Sequence, residues 1–174
     1  MAPNVPDHKN AAEIIRDAGG TVVGRTRLQK IAFLLELAGL GCGFQFSYRH
    51  YGPYSEHLAD ALQTAEVKGL VKEEEHRANW GGMYSVYTAA QKKIGPSIAG
   101  QRTAFAKAAS EVDAIELELA ATAAYLYFVE ECKNPWDETA RRKPTKAAEN
   151  RLEKAKAAYQ KLRALEVPNS LPQI

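Results

Sequence analysis

The sequence predicts a mainly α-helical α+β fold, with a winged-helix-like first half that contains a small β-hairpin, followed by a helical second half packed on it. Apolar residues recur at helical spacing along most of the chain. One pair of short alternating segments flanks Gly81-Gly82, as in a hairpin. We expect residues 1–94 to form the winged-helix-like region and residues 95–174 the helical region, packed as a single compact domain.

Two helices are predicted before residue 40. Pro6-Asp7 introduces the first helix, and Gly19-Gly20 ends it. Thr26 is expected to begin the second, with Gln29 three residues later completing a capping box. An apolar stripe at helical spacing then continues to Gly39.

A short strand, a third helix and a hairpin complete the first half. Residues 44–48 alternate between aromatic and polar, and Gly52-Pro53 is expected to turn the chain. Ser55 is a good N-cap for a helix that Gly69 ends. Two strands should then follow, over 70–77 and 83–88. Three helices followed by a hairpin is the order of a winged helix, a relative of the helix-turn-helix.

The second half reads as helical throughout. Asn134-Pro135 has the residue types of an N-cap and first helical position, Lys143-Pro144 should break that helix, and Thr145 should cap the last one. The residues from Pro168 onward are expected to be loose. The remaining predicted helices cover 96–109 and 111–132.

Charge is unevenly distributed along the second half, although the formal net charge is only +2. Residues 110–131 contain six acidic residues and no Lys or Arg, whereas residues 133–163 contain ten basic and four acidic residues. The simpler interpretation is that neighbouring helices neutralise each other. The alternative is that the basic stretch receives an acidic partner or a phosphate.

Composition favours a cytoplasmic protein with no membrane role. The two cysteines, Cys42 and Cys132, are too few and too far apart for a secreted disulfide scaffold. Residues 1–10 are polar and lack the apolar core of a signal peptide. Nowhere does an apolar run approach the ~20 residues of a spanning helix.

Motifs for catalysis or cofactor binding are weak, so we expect no enzyme, no cofactor and no metal. Residues 19–26 nearly spell a phosphate-binding P-loop, but a helix precedes them and Arg25 replaces the required lysine. Cys42, His50 and His57 have no known zinc-ligand spacing. Ser55 lies outside any nucleophile motif, and its capping role explains it.

Several short motifs are spread along the chain from residue 24 to residue 144. They are Gly24-Arg-Thr-Arg-Leu-Gln-Lys-Ile31, Tyr48-Arg-His-Tyr-Gly-Pro-Tyr-Ser55, Gly69-Leu70, Leu117-Glu-Leu-Ala-Ala-Thr122, Trp136 and Arg142-Lys143-Pro144. In these motifs the chain resembles the YwgA-like bacterial proteins and, more distantly, the Panacea or SocA-like antitoxin domain. This resemblance implies a winged-helix-like fold and a non-enzymatic regulator, toxin-neutralising in the Panacea case.

The segment around Gly52-Pro53 is the most distinctive candidate for partner binding. Tyrosine and arginine are enriched in interface hot spots because they combine large contact area with polar groups. The alternative is that this segment is a packing corner between the third helix and the sheet. The candidate partner-binding residues are Tyr48, Arg49, His50, Tyr51, Tyr54 and His57. The candidates for contact with nucleic acid or an acidic partner are Arg25, Arg27, Lys30, Arg141, Arg142, Lys143 and Lys146.

Protein recognition is favoured over DNA recognition on electrostatic grounds. The helix that would enter the major groove carries Glu56, Asp60 and Glu66 against Lys68 alone, and Glu73–Glu75 follow. Such a surface repels the duplex. We therefore expect a regulatory protein-binding module of the antitoxin type, with a homodimer compatible with the sequence. The alternative is a winged-helix DNA-binding transcriptional regulator.

Overall fold

The computed structural model describes residues 5–90 and 100–174, and within them the fold is mixed α+β, as predicted. These ranges contain seven α-helices and two small antiparallel sheets. The helices are α1 (Asp7–Asp17), α2 (Arg25–Leu37), α3 (Glu56–Val67), α4 (Gln101–Ser110), α5 (Ala114–Phe128), α6 (Pro135–Arg142) and α7 (Arg151–Arg163). The strands are β1 (Thr21–Val23), β2 (Ser47–Arg49), β3 (Gly52–Tyr54), β4 (Val71–Arg77) and β5 (Met83–Ala89).

The larger sheet has the order β1-β5-β4. Strands β4 and β5 form the predicted hairpin, paired from Val71 with Ala89 to Arg77 with Met83. Strand β1 pairs antiparallel with the other edge of β5. This strand was not predicted from the sequence. A strand of three residues is too short to display an alternating pattern, so only its long-range pairing reveals it.

The second sheet is a hairpin of β2 and β3, and here the expected turn was wrong. Gly52 and Pro53 lie within β3, while His50 and Tyr51 form the turn. Gly52 has φ +86°, a region that glycine occupies without strain. Proline is tolerated because an edge strand need not donate every backbone hydrogen bond.

The start of α2 also differs from its prediction, whereas that of α3 is confirmed. Helix α2 begins at Arg25, directly after Gly24, and no side chain caps it. The Gln29 side chain is instead buried: its Nε2 donates to the Ser55 carbonyl (3.0 Å), and its Oε1 accepts from the Ser55 amide (2.8 Å). Ser55 Oγ accepts from the Leu58 amide at 3.1 Å, as an N-cap does. Gln29 thus fixes the start of α3 rather than that of its own helix.

In the second half, α4, α5 and α6 lie close to their predicted ranges. The predicted helical residues 96–99 lie outside the described residues. Helix α5 begins one turn later than predicted because the Asp113 carboxylate caps it, accepting from the Ile115 amide at 2.9 Å. Thr145 does not cap the last helix: residues 144–150 form turns, and α7 begins after Asn150, which has φ +67°.

Both regions contribute to one hydrophobic core, in which α5 is almost fully buried. Helix α5 contacts α2, β3, α6 and α7. Its small residues Ala120, Ala121 and Ala124 are completely buried, which lets neighbouring elements approach its backbone closely. The described helices include none that combines the length and the apolar character needed to cross a bilayer.

The C-terminal residues are packed, so the expectation that they are loose was wrong. Leu171 is buried in the core. Tyr159 Oη donates to the Pro172 carbonyl at 2.8 Å, and Trp136 Nε1 donates to the Ile174 carbonyl at 3.0 Å. These bonds satisfy the polar ends of two buried aromatic side chains, which explains why the segment is held.

Candidate functional site

A group of four charged side chains, three of them buried, lies beneath the β2–β3 hairpin. We call it the lysine cluster: Lys30 of α2, Glu118 of α5, and Lys143 and Lys146, which follow α6. Only 1% of Lys30 is exposed, and its Nζ donates to the Pro53 carbonyl at 2.8 Å. The cluster therefore joins both halves of the chain through the hairpin.

Glu118 is the carboxylate at the centre of the cluster and is only 3% exposed. Its Oε1 accepts from Lys143 Nζ at 2.8 Å, and both of its oxygens accept from Lys146 Nζ at 2.8 Å. Lys143 Nζ also donates to the His50 carbonyl at 3.0 Å. Two ammonium groups thus contact one carboxylate, which leaves an excess of positive charge in a mostly buried place.

This environment changes the pKa of Lys30. Burial lowers it to about 7; the Glu118 carboxylate partly opposes the shift, and the ammonium groups of Lys143 and Lys146 reinforce it. In the unfolded chain Lys30 is exposed to water, and its pKa returns to the ordinary value of 10.5. Between these two values the unfolded state binds more protons than the folded state, so the free energy of unfolding contributed by Lys30 rises with pH.

Replacing Lys30 with Met should remove that pH dependence. We expect the difference in free energy of unfolding, wild type minus Lys30→Met, to increase from about pH 7 to about pH 10, at up to about 1.4 kcal/mol per pH unit. Urea titrations at several pH values measure it. The control is Lys156→Met, which removes an exposed lysine paired with Glu153. Parallel pH profiles for wild type and Lys30→Met would contradict the burial argument.

The acidic and basic runs of the second half do pair with each other. Besides the bonds of Glu118, Arg142 contacts Glu130 and Glu138, each at 2.7 Å. Arg141 also contacts Glu138 at 2.7 Å, although its side chain is 72% exposed. Mutual neutralisation between the runs therefore accounts for Glu118 and Glu130 of the acidic run and for Arg142, Lys143 and Lys146 of the basic run, whereas Glu138 belongs to the basic run itself.

The candidate partner-binding residues do not form one exposed face. Tyr48 is half-buried, and its ring centroid lies 5.8 Å from that of Tyr125. The Arg142 guanidinium lies 4.9 Å from the centroid of the Tyr48 ring. Tyr54 is also half-buried and lines a different cavity, beside Gln29. Much of this segment is therefore packed, with Tyr48 against α5 rather than against the third helix.

The other candidates in this segment are exposed but point to different surroundings. Arg49 pairs with Glu56 at 2.8 Å. His57 Nε2 lies 2.7 Å from an Asp7 carboxylate oxygen. The His50 ring packs edge-on against the ring of Tyr51, which is 52% exposed, and Lys146 Nζ lies 4.6 Å above that same tyrosine ring.

The basic candidates at the start of α2 hold the fold together. Arg25 pairs with Glu73 at 2.7 Å and with Glu75 at 3.3 Å. Arg27 donates to the carbonyls of Ser110, at 2.8 Å, and Val112. Its partial burial lowers its pKa. Together with buried Lys30, these residues leave α2 with little positive charge for a nucleic acid.

An aromatic groove lies between the tip of the β4–β5 hairpin, Tyr51 and the start of α5, and the sequence reading did not identify it. The cavity has a volume of about 410 Å³. Trp80 is 79% exposed, and its ring packs over Gly82, leaving no room for a side chain there. Met83 and Tyr51 are exposed as well. The apolar and aromatic residues that line the groove include Val23, Tyr51, Trp80, Met83, Tyr84 and Ile115.

The one sequence signal for this groove is the position of Trp80. A tryptophan beside the Gly81-Gly82 turn of a hairpin has no core to enter, so it is exposed unless another element covers it. The floor of the groove includes Glu118 and Lys146, so the aromatic groove and the lysine cluster adjoin.

Cys42, His50, His57 and the P-loop-like run at residues 19–26 lie in different surroundings in the structure. Within residues 5–90 and 100–174, no three His, Cys, Asp or Glu side chains are grouped to hold a metal ion. Cys42 is partly buried, and burial raises the pKa of its thiol, which disfavours the reactive thiolate. Residues 21–23 of the P-loop-like run form β1, and Gly24 leads directly into α2.

Comparison with known proteins adds no assignment. No protein-family model matches this chain, and no curated protein matches it. A function must therefore be inferred from the chemistry of the aromatic groove and the lysine cluster.

Proposed function

We propose that this chain is a non-enzymatic regulatory module that binds another protein through the aromatic groove. The observation that carries the proposal is the exposure of Trp80, Met83, Tyr84 and Tyr51 around one cavity. Water-exposed aromatic side chains grouped in this way are typical of protein interfaces, where tryptophan and tyrosine supply most of the binding energy. Glu75 and Arg25 at the edge provide the polar rim that such interfaces carry.

The resemblance to antitoxin domains suggests what the binding achieves. In that group a partner protein is neutralised, and the motif at residues 48–55 is one of those that carry the resemblance. In this chain the motif supplies Tyr51 to the groove. Because Lys143 Nζ holds the carbonyl of the neighbouring His50, the position of Tyr51 is set before any partner arrives.

DNA binding by a winged helix is the second candidate, and the order of the elements favours it. Three helices precede the β4–β5 hairpin, and β1 completes a three-stranded sheet. The charge of α3 opposes it: Glu56, Asp60 and Glu66 are all exposed. The nearest arginines, Arg49 and Arg25, already pair with carboxylates. We therefore retain protein binding as the proposed function.

Trp80→Ala should weaken partner binding by about 2 kcal/mol or more, roughly 30-fold, because a hot-spot tryptophan loses most of its contact area. The measurement is retention of a host protein by the immobilised chain, followed by the affinity of the purified pair. The matched control is Phe128→Ala, which removes an aromatic side chain that is 43% exposed at the other end of α5. If both variants lose affinity for the partner equally, or if only Phe128→Ala loses affinity, the interface lies outside the aromatic groove.

The regulatory part of the proposal has its own test. If the partner is a toxin encoded beside this gene, its expression should be tolerated only when this chain is present, and Trp80→Ala should abolish that protection. If the Trp80→Ala variant still protects against the toxin, the chain neutralises the toxin through a surface other than the aromatic groove.

The DNA-binding candidate predicts an affinity that falls steeply with salt. Arg141→Ala is the suitable variant because Arg141 is exposed, whereas Lys143 is buried against Glu118 and its removal would disturb the fold. Affinity that does not change with salt would eliminate this candidate.

A further inference from the structure

The outer side of the lysine cluster opens into a second cavity, which we call the basic pocket. It has a volume of about 740 Å³ and lies between the β2–β3 hairpin and the turn after α6. None of its described lining residues is acidic. They are Tyr48, Arg49, His50, Arg142, Lys143, Pro144, Thr145 and Lys146.

The charge behind this pocket is not balanced within the cluster. Lys143 and Lys146 bring two positive charges against the single negative charge of Glu118, a net of +1. Lys30, whose pKa is lowered to about 7, adds a further charge only when it is protonated. The two arginines on the wall of the pocket differ, because Arg142 contacts two carboxylates and Arg49 contacts one. The excess positive charge on the wall of the pocket is therefore concentrated at Lys143 and Lys146.

These two lysines also retain hydrogen-bonding capacity. An ammonium group has three N–H donors. In the described part of the chain, Lys143 Nζ uses two of them, on Glu118 and the His50 carbonyl. Lys146 Nζ also uses two, both on Glu118. By this count each ammonium group has one N–H without a hydrogen-bond acceptor, and the exposed residue Thr145 lines the same pocket.

We propose that the basic pocket binds a phosphate group, either free or as the monoester of a small molecule. A phosphate monoester carries a charge of about −1.5 to −2 near neutral pH, with three acceptor oxygens. The excess positive charge at Lys143 and Lys146 attracts this anion, and its oxygens can accept hydrogen bonds from Lys143, Lys146 and Thr145. The basic pocket and the aromatic groove share only Lys146 among their described residues, so phosphate binding does not require the proposed protein partner.

Calorimetric titration of the full chain with inorganic phosphate, and separately with glycerol phosphate, tests this site at constant ionic strength set with chloride. We expect saturable binding by the wild type and at least about a tenfold loss of affinity, roughly 1.4 kcal/mol, in Lys146→Met. The matched control is Lys156→Met: the two lysine side chains are 31% and 36% exposed, and each Nζ lies 2.8 Å from a glutamate oxygen. The control should bind phosphate like the wild type.

The comparison of ligands distinguishes the two sources of phosphate. Tighter binding of glycerol phosphate indicates an ester ligand, and equal or weaker binding indicates free phosphate. Arg49→Gln, which changes an exposed residue of the pocket wall, should also weaken binding and serves if Lys146→Met unfolds. No saturable signal above chloride, acetate binding as tightly as phosphate, or equal loss in Lys156→Met would each overturn the assignment.

Discussion

Replacing Glu118 with Gln is expected to lower the free energy of unfolding by about 3–5 kcal/mol, the cost of removing one partner from a buried ion pair. Glutamine keeps the size of the side chain but cancels the charge that stabilises Lys143 and Lys146. Lys143 is almost fully buried, so water cannot replace the lost carboxylate. Chemical denaturation followed by circular dichroism measures the effect as a lower midpoint with an unchanged slope.

The control for this prediction is Glu130→Gln. Glu130 pairs with Arg142 on the surface, and Arg142 retains Glu138, so the expected cost is about 0–1 kcal/mol. A second variant, Glu118→Gln with Lys143→Met, should recover part of the loss because it removes one of the buried cations. If Glu118→Gln costs no more than Glu130→Gln, the cluster does not depend on its carboxylate.

Elements with local signals could be predicted from the sequence, and those that depend on distant pairing could not. Ser55 marks a helix start through its own side chain, and Pro135 does so through its fixed backbone angle. Strand β1 exists only because β5 lies beside it. The C-terminal residues are held by Tyr159 and Trp136, neither of which is near them in the sequence.

The candidate site shows the same division. The opposite charges of the two runs predicted that they would pair, but their order along the chain did not show that Glu118 would be buried against Lys143 and Lys146. Lys30 lies on a helix that looked amphipathic, and only the docking of the hairpin encloses it. Tyr48 and Tyr51 looked equivalent in the sequence. Their exposures differ because Tyr48 lies in a strand over α5 and Tyr51 in the turn.

Gly52→Ala is the other variant with a large expected effect, a loss of about 2–5 kcal/mol. Two costs combine. An alanine at φ +86° loses about 1–2 kcal/mol in backbone strain. Its Cβ would also lie 2.6 Å from Thr122 Oγ1 on α5, and such overpacking costs about 1–3 kcal/mol. The hairpin should move away from α5, which would disturb the bond from Lys30 Nζ to the Pro53 carbonyl. Thermal and chemical unfolding measure the loss.

Two further variants separate the two costs. Gly69→Ala places alanine at φ +72° with no atom within 4 Å of the new Cβ, so it should show the backbone cost alone, about 1–2 kcal/mol. Thr122→Ala removes the obstructing hydroxyl, whose oxygen is buried without a hydrogen-bond partner in the described residues. In the double variant Gly52→Ala with Thr122→Ala the steric cost should disappear. Its loss in free energy of unfolding should then equal the backbone strain alone. If Gly52→Ala and Gly69→Ala lose equal stability, and Thr122→Ala gives no recovery, the hairpin is not held against α5 by this close approach. The position of Tyr51 at the groove would then depend on the bond from Lys143 Nζ to the His50 carbonyl and not on the close approach of Gly52 to α5.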